Sequence, residues 1–266
     1  MAQADERPFP EFDAGYRLIA RASTSKLAEN LTVAGTCPGR PFATVYRFHA
    51  PGRAWAQEVV TIADRTVAVR GSSPGANELA PPPNPEVFHA DAGTPFKVTL
   101  TFGENLGRDG PIGTPPASGA AALALYEWVG PDEFPYPDPP AALVPLKPLN
   151  LTPEQSVAMV RSDPEEPAAE RTVTLYWPTP PPPESLAVEM RAQTPGVLRV
   201  LVDGAELGRG YWWDYTQAIT WNSANLHEPL ANRLPVRGDQ IDLTVIPERM
   251  TGAWAVALYD DTAINR

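Results

Sequence analysis

Hydrophobic and polar residues alternate along most of the chain in short runs, and turn-forming residues separate these runs. Residues 98–102 (VTLTF) and 241–245 (IDLTV) are clear examples. A period of two places successive side chains on opposite faces of a β-strand. The 33 prolines work against long helices, because proline lacks a backbone donor and its ring restricts φ. The pattern therefore predicts an all-β protein built from antiparallel sheets.

The second half of the chain repeats features of the first half in the same order. Three pairs of segments correspond: residues 45–52 with 188–196, 98–102 with 241–245, and 122–127 with 255–260. The first match needs one extra residue before the Pro-Gly of the second copy. The second match is separated by the same number of residues as Val45 and Val188, the valines that open the first match. Alternating strands are common, so any single match could arise by convergence. Three matches in one order predict a duplicated domain.

The closing segments, Ala-Leu-Ala-Leu-Tyr-Glu at 122–127 and Ala-Val-Ala-Leu-Tyr-Asp at 255–260, resemble the last strands of galactose-binding-like jelly-roll modules. The resemblance covers about the final third of each domain and implies two tandem antiparallel β-sandwich domains of jelly-roll type. The predicted boundaries are residues 1–130 for the first domain, 131–150 for a proline-rich linker and 151–266 for the second domain.

Local signals add three more elements. Residues 131–140 contain five prolines, which predicts a semi-rigid spacer. Thr152, Pro153 and Gln155 stand where an N-cap, a first helical residue and a capping-box partner would stand, so a short helix is predicted that ends by Arg161. The Asp-Gly pair at 203–204 predicts a type I′ hairpin turn. The candidates for equivalent first strands are residues 16–23 and 171–177.

Charge and cysteine content narrow the possible partners. The formal net charge is −11 and no cluster of Lys or Arg reverses it locally, so neither nucleic acid nor an anionic membrane surface is a predicted partner. Cys37 is the single cysteine, which excludes an intrachain disulfide. The first residues are polar and no apolar stretch approaches membrane length. The sequence predicts synthesis in the cytoplasm without a signal peptide, and no insertion into membranes.

No catalytic or metal-binding motif stands out. The three histidines, His49, His89 and His227, lie in different segments, and no Gly-x-Ser-x-Gly elbow occurs. A Ser-His-Asp arrangement can be assembled in space from distant residues, so a hydrolase stays an alternative. We predict a protein that is not an enzyme, with no cofactor and no metal.

A cluster of aromatic and polar residues in the second domain is the candidate site. Its members are Tyr211, Trp212, Trp213, Tyr215, Trp221, Asn225 and His227. Rings beside amide groups suit a sugar, which stacks its C–H face on a ring and hydrogen bonds through its hydroxyls. In a strand, however, Tyr211, Trp213 and Tyr215 would share one face and Trp212 the other. We favour core packing, or a domain or subunit contact, over a ligand platform.

Two functions follow from these features. The first is a structural component of a virion-like particle: a minor tail, baseplate or head-decoration protein of a phage or gene-transfer agent. Its composition resembles such proteins from GC-rich hosts. Its partners would be other subunits of the particle, in a homo-oligomer located in the virion, with surface polysaccharide as a further contact. The alternative is a carbohydrate-binding module or receptor-binding protein that uses the aromatic cluster.

Overall fold

The computed structural model describes residues 9–50, 54–72, 75–76, 87–107, 110–176, 185–225 and 240–260. Within them the chain forms two compact units, Met1–Pro135 and Tyr136–Arg266. We call these unit 1 and unit 2. Each unit is a pair of antiparallel sheets with its own core.

The described part of unit 1 is made of strands and one short helix. Its strands are β1 (Phe12–Asp13), β2 (Tyr16–Thr24), β3 (Leu31–Thr36), β4 (Phe42–His49), β5 (Trp55–Ile62), β6 (Arg65–Ser72), β7 (Gly75–Ala76), β8 (Pro95–Gly103), β9 (Asn105–Gly107), β10 (Gly110–Ile112) and β11 (Ala120–Trp128), and the helix is α1 (Gly130–Glu133). One sheet has the order β1-β2-β11-β4-β7 and the other β3-β8-β5-β6, while β9 and β10 form a separate hairpin.

The first regular element of unit 2 is a single 3₁₀ turn, Pro153–Gln155. Its strands are β12 (Ala158–Arg161), β13 (Arg171–Tyr176), β14 (Ser185–Ala192), β15 (Gly196–Val202), β16 (Ala205–Trp212), β17 (Ile219–Asn225), β18 (Gln240–Glu248) and β19 (Trp254–Asp260). The sheets have the orders β12-β19-β14-β17 and β13-β18-β15-β16.

The two units share one topology. Among the described residues, unit 1 without β1 and the β9–β10 hairpin has eight strands, as unit 2 does. Numbered within each unit, these strands follow the order 1-8-3-6 in one sheet and 2-7-4-5 in the other. This is the strand order of a jelly roll, two sheets of four strands connected as Greek keys. The predicted all-β fold with antiparallel β-sandwiches is confirmed.

Alternation along the strands fills each core from both sheets. In unit 1 the core includes the rings of Phe42, Phe48, Phe88, Phe96 and Phe102. In unit 2 it includes Trp212 and Trp254 together with aliphatic residues of β14, β15, β18 and β19. The inner faces of the two sheets therefore supply one continuous apolar layer in each unit.

The strand pairing corrects the register of the first sequence match. Leu125 pairs with Thr44 in unit 1, and the corresponding Leu258 pairs with Val188 in unit 2. Val188 therefore corresponds to Thr44 rather than to Val45, which faces the opposite side of its sheet. With this shift the two Pro-Gly pairs, at 51–52 and 195–196, coincide without an extra residue.

One predicted element and one predicted correspondence between strands are wrong. The helix proposed for residues 152–161 is only the 3₁₀ turn Pro153–Gln155, and β12 follows it because pairing with β19 satisfies the backbone of residues 158–161 better than an isolated short helix would. The capping bond itself is present, from the backbone N of Thr152 to Oε1 of Gln155 at 3.0 Å. The proposed first-strand pair is also not equivalent, since β2 corresponds to β12, whereas β13 corresponds to β3.

The predicted hairpin turn at residues 203–204 is confirmed. Asp203 and Gly204 both have positive φ, 47° and 78°, between the paired strands β15 and β16. The matching turn of unit 1 uses Ala63 and Asp64 with φ of 48° and 62°. Alanine is an unfavourable residue at positive φ, so the sequence of unit 1 carries no signal for this turn.

The proline-rich segment 131–150 belongs in part to each unit. The ring of Phe134 packs against that of Phe12 in unit 1, with centroids 6.1 Å apart. From Tyr136 onward the chain is part of unit 2. Backbone groups of residues 144–151 hydrogen bond to side chains of unit 2. The segment is thus packed against the sandwiches over part of its length.

Tyr126 makes the stability of unit 1 sensitive to alkaline pH. The side chain is fully buried, and its hydroxyl donates to the carbonyl oxygen of Pro10 at 2.9 Å. Burial, followed by the negative charge of Asp13, raises the pKa of Tyr126 to about 12. In the unfolded chain the phenol ionises near its ordinary pKa of about 10.

The stabilisation by neutral Tyr126 is therefore complete below about pH 10 and is lost as the pH rises to about 12, by up to about 3 kcal/mol. Urea denaturation of unit 1 at pH 8, 10 and 11.5 measures this loss. Tyr126→Phe should remove this part of the pH dependence, whereas Tyr176→Phe, at a position with 75% exposure, should retain it. Identical pH profiles for the wild type and Tyr126→Phe would contradict the assignment.

Candidate functional site

The end of β16 separates the predicted aromatic cluster into two sets. Trp212 is 2% exposed and lies in the core of unit 2. Its Nε1 donates to the carbonyl oxygen of Ala218 at 2.7 Å, which satisfies the indole inside the core. A Cβ at residue 210 would lie 2.5 Å from the Trp212 ring, so the glycine there makes room for it. Trp212 is a core residue and is not available to a ligand.

Tyr211 and Trp213 point away from the core and are half-buried. Their rings are parallel within 5° and their centroids lie 5.5 Å apart. A third ring, Tyr136, lies parallel to Trp213 within 14° at 6.2 Å. We call Tyr136, Trp213 and Tyr211 the ring stack. Tyr136 is 75 residues before Tyr211 in the chain, and its participation carries no local sequence signal.

The loop after the ring stack is held by a local turn. Oδ1 of Asp214 accepts hydrogen bonds from the backbone N of Thr216 at 2.8 Å and from its hydroxyl at 2.6 Å. This is an Asx turn, in which the carboxylate replaces a backbone acceptor. Tyr215 lies in this loop and is half-buried. The arrangement fixes the loop that follows the ring stack.

The remaining predicted site residues are not brought to the ring stack by any described contact. Trp221 and Asn225 belong to β17, where their backbones pair with Glu189 and Ser185 of β14, and their side chains are outside the described part of the structure. His227 lies outside the described residues.

A row of charged side chains adjoins Tyr211 on the outer face of β15 and β16. Glu206 bonds to Arg199 Nε at 2.8 Å and to Arg209 Nη2 at 2.9 Å, and Arg199 also reaches Glu248 at 3.4 Å. Burial alone would raise the pKa of Glu206, but the hydrogen bonds from Arg209 and Arg199 outweigh it and lower the pKa. Sequence reasoning did not single out this row, because its members meet only through strand pairing.

The charges of the row neutralise one another. The pKa of Arg209 is raised by its hydrogen bond with Glu206, against the effect of burial, and a hydrogen bond with Tyr211 adds to the rise. A permanently ionised pair of this kind neither accepts nor delivers a proton near neutral pH. The row is suited to holding the outer face of unit 2 in register and to polar contact with another molecule.

Other chemical groups in the described residues are structural in character. Burial raises the pKa of the Cys37 thiol, against a backbone hydrogen bond that lowers it, so the reactive thiolate is disfavoured. Within the described ranges, no three or more His, Cys, Asp or Glu side chains lie together as metal ligands would. A depression lined by Phe9, Glu11 and residues of β2 is shallow and open to solvent. None of the helices that the structure describes is long and apolar enough to cross a membrane.

The sequence matches no protein-family model and no curated protein. Several solved structures are similar at low identity. An anti-sigma factor domain-containing protein shares 11% identity over 87% of this chain and 79% of its own, with a TM-score of 0.26. The PBSX exported protein XepA shares 10% identity over 92% and 86%, with a TM-score of 0.24. A conserved protein of unknown function from Pseudomonas aeruginosa PAO1 shares 11% identity over 96% and 85%, with a TM-score of 0.20. At such scores neither the fold nor the function is inferred from these similarities.

Proposed function

We propose that the protein is a non-enzymatic structural component of a virion-like particle, such as a phage minor tail, baseplate or head-decoration protein. The observation that carries the proposal is the repetition of one jelly-roll strand order in both units. A duplicated sandwich offers two related surfaces to neighbouring subunits, and within the described residues no three His, Cys, Asp or Glu side chains lie together as metal ligands would. In this proposal the chain makes contacts with other subunits and does not catalyse a reaction.

The outer faces of the β3-β8-β5-β6 and β13-β18-β15-β16 sheets supply surfaces for these contacts. They carry hydroxyl pairs, Thr32 with Thr99 and Thr172 with Thr244. They also carry large exposed residues: Val69 is 57% exposed and Tyr176 is 75% exposed. Apolar groups set among short polar side chains are suited to a protein interface, which combines an apolar centre with a polar rim.

The ring stack fits a contact role better than a glycan platform. A sugar needs a free ring face on which to stack, and rings that stack on one another leave less free face; Trp213 stacks with both tyrosines. The ring edges and the neighbouring Arg209 and Glu206 offer further contacts to another molecule. A neighbouring protein subunit can use such edges and charges.

The proposal is tested by isolating particles on a density gradient from cells that carry the gene and quantifying this chain by mass spectrometry. We expect the chain in the particle band at a constant ratio to the other particle proteins, with an abundant cytoplasmic protein as the negative control. A chain that stays in the soluble fraction as a monomer would overturn the proposal. Retention on a glycan array that Trp213→Ala abolishes and Tyr176→Ala preserves would favour the carbohydrate-binding alternative instead.

A further inference from the structure

Residues 144–151, with the sequence Val-Pro-Leu-Lys-Pro-Leu-Asn-Leu, form no helix or strand. We call them the strap. They contact side chains on the outer face of the β12-β19-β14-β17 sheet. We propose that this face is a built groove for an extended peptide rich in proline and leucine, and that the strap is its in-chain ligand. The inference goes beyond the proposed function and does not depend on it.

Glu189 anchors one end of the strap. The side chain is fully buried, at 0% exposure, on the outer side of β14. Its two carboxylate oxygens accept hydrogen bonds from consecutive backbone amides, Asn150 N at 2.7 Å and Leu151 N at 3.0 Å. A buried carboxylate is costly unless such donors satisfy it. The strap therefore completes a polar group that the sheet by itself leaves to be satisfied.

Gln217 anchors the other end with both halves of its amide. Its Oε1 accepts from Lys147 N at 2.8 Å, and its Nε2 donates to the carbonyl oxygens of Val144 at 3.1 Å and Pro145 at 3.3 Å. Gln193 Nε2 also donates to the Val144 carbonyl oxygen, at 2.7 Å. Side-chain amides thus form hydrogen bonds with the backbone of the strap, and grooves that bind extended peptides also use the peptide's main chain.

Gln217 has a backbone conformation that favours this role. Its φ is 57°, in the left-handed region that non-glycine residues seldom adopt, and only 3% of its surface is exposed. Nη1 of Arg191 holds the Gln217 carbonyl oxygen at 3.0 Å. Strain of this kind persists where surrounding contacts impose it, often at binding sites.

The floor of the groove is apolar and made of small residues around one ring. Leu149 and Leu151 of the strap pack with Ala187, Ala257 and Tyr259. The two alanines let the strap backbone approach the sheet closely, which larger side chains would prevent. The leucines supply the apolar burial that gives the strap its affinity.

Unit 1 has the same floor beneath its own preceding segment. Strand pairing places Ala43, Ala124 and Tyr126 where unit 2 has Ala187, Ala257 and Tyr259. Phe9 packs with these residues, and the Tyr126 hydroxyl donates to the Pro10 carbonyl oxygen. An apolar floor that occurs in both units and contacts the chain segment before each of them is a property of the repeating unit.

Hydrogen exchange of the full-length chain tests the inference. We expect the amides of Lys147, Asn150 and Leu151 to exchange at least about a hundredfold more slowly than the rate for an unstructured peptide. Glu189→Ala should speed the exchange of Asn150 and Leu151 at least about tenfold, because both lose their acceptor. Glu206→Ala, which removes a carboxylate bonded to arginines on the other sheet, should leave them unchanged. If Glu189→Ala yields too little folded protein, Gln217→Ala and the Lys147 amide serve the same purpose.

Binding in trans gives a second test. A full-length variant in which Gly-Ser repeats replace residues 144–151 should bind a synthetic peptide that carries residues 142–152, whereas the wild type, whose groove is filled, should not. Unprotected strap amides in the wild type would overturn the inference. So would a folded Gly-Ser variant that ignores the peptide, or protection that Glu189→Ala and Gln217→Ala leave unchanged. None of these outcomes depends on whether the chain is found in particles.

Discussion

Replacing Trp212 with alanine should lower the free energy of unfolding of unit 2 by about 3–5 kcal/mol, the usual range for removing a buried tryptophan from a core. Trp212 is 2% exposed, and its indole N–H is bonded to the Ala218 carbonyl oxygen. The substitution removes the apolar contact of a large ring and leaves that carbonyl oxygen without its donor. Urea denaturation followed by intrinsic fluorescence and circular dichroism measures the loss.

Trp213→Ala is the matched control, since it removes the same side chain one residue later. Trp213 is half-buried in the ring stack outside the core. Stacking adds about 0.5–1.5 kcal/mol to the effect of the area that a ring buries. Trp213 buries less of its area than Trp212, so its loss should stay below that of Trp212→Ala. Equal losses for the two variants would contradict the assignment of Trp212 to the core and Trp213 to the surface.

Arg70→Ala should lower the free energy of unfolding of unit 1 by about 2–4 kcal/mol, because it breaks an ion pair whose carboxylate is buried. Glu58 is 1% exposed and lies opposite Arg70 on the paired strands β5 and β6. Arg70 Nη1 approaches Glu58 Oε2 at 3.2 Å, and the guanidinium lies 5.0 Å above the Phe88 ring. Chemical denaturation at neutral pH measures the effect.

The double variant Glu58→Leu, Arg70→Met distinguishes two quantities. One is the destabilisation caused by removing only the arginine of the ion pair, and the other is the net contribution of the whole pair to stability. Apolar residues of similar volume can replace a buried pair at little cost, so the double variant should lie within about 1 kcal/mol of the wild type. Arg17→Ala is the control, since Arg17 also pairs with a buried glutamate, Glu127, but is 47% exposed. Its loss should be smaller than that of Arg70→Ala. A double variant as unstable as Arg70→Ala would contradict this account.

Strand periodicity and the internal repeat were readable in the sequence. Residues 98–102 and 241–245 lie in the corresponding strands β8 and β18, and residues 122–127 and 255–260 lie in β11 and β19. These strands pair on both edges within their sheets. A strand with two neighbours needs strict alternation to fill the core, and this requirement leaves a clear trace in the sequence.

The edges of the sandwiches were less predictable. β12 has only four residues and pairs on one side alone, so its alternation is too short to distinguish it from the start of a helix. The capping residues before it predicted a helix, but the helical conformation ends after one 3₁₀ turn, which keeps the capping bond between Thr152 and Gln155. Pairing with β19 decided the conformation of the residues that follow.

In the aromatic cluster too, the sequence predicted one part of the arrangement and the tertiary structure decided the other. The alternation of Tyr211, Trp212 and Trp213 predicted opposite faces for adjacent rings, and the fold placed Trp212 in the core and the other two outside it. Trp213 stacks with Tyr136, and Glu189 bonds to the strap. Both partners belong to the proline-rich segment that the sequence predicted to be a linker. Proline content predicts an extended backbone but not what that backbone packs against.

The sequence by itself determined that the chain is all-β, that it contains the same unit twice and that adjacent rings of the cluster face opposite ways. These properties depend on the two-residue period of a strand, which acts locally. Only the tertiary structure decided three further features. They are the residue-by-residue correspondence of equivalent strands in the two units, the charged row on unit 2 and the surface on which the strap packs. Those depend on which strands become neighbours, and contacts between residues far apart in the chain settle that choice.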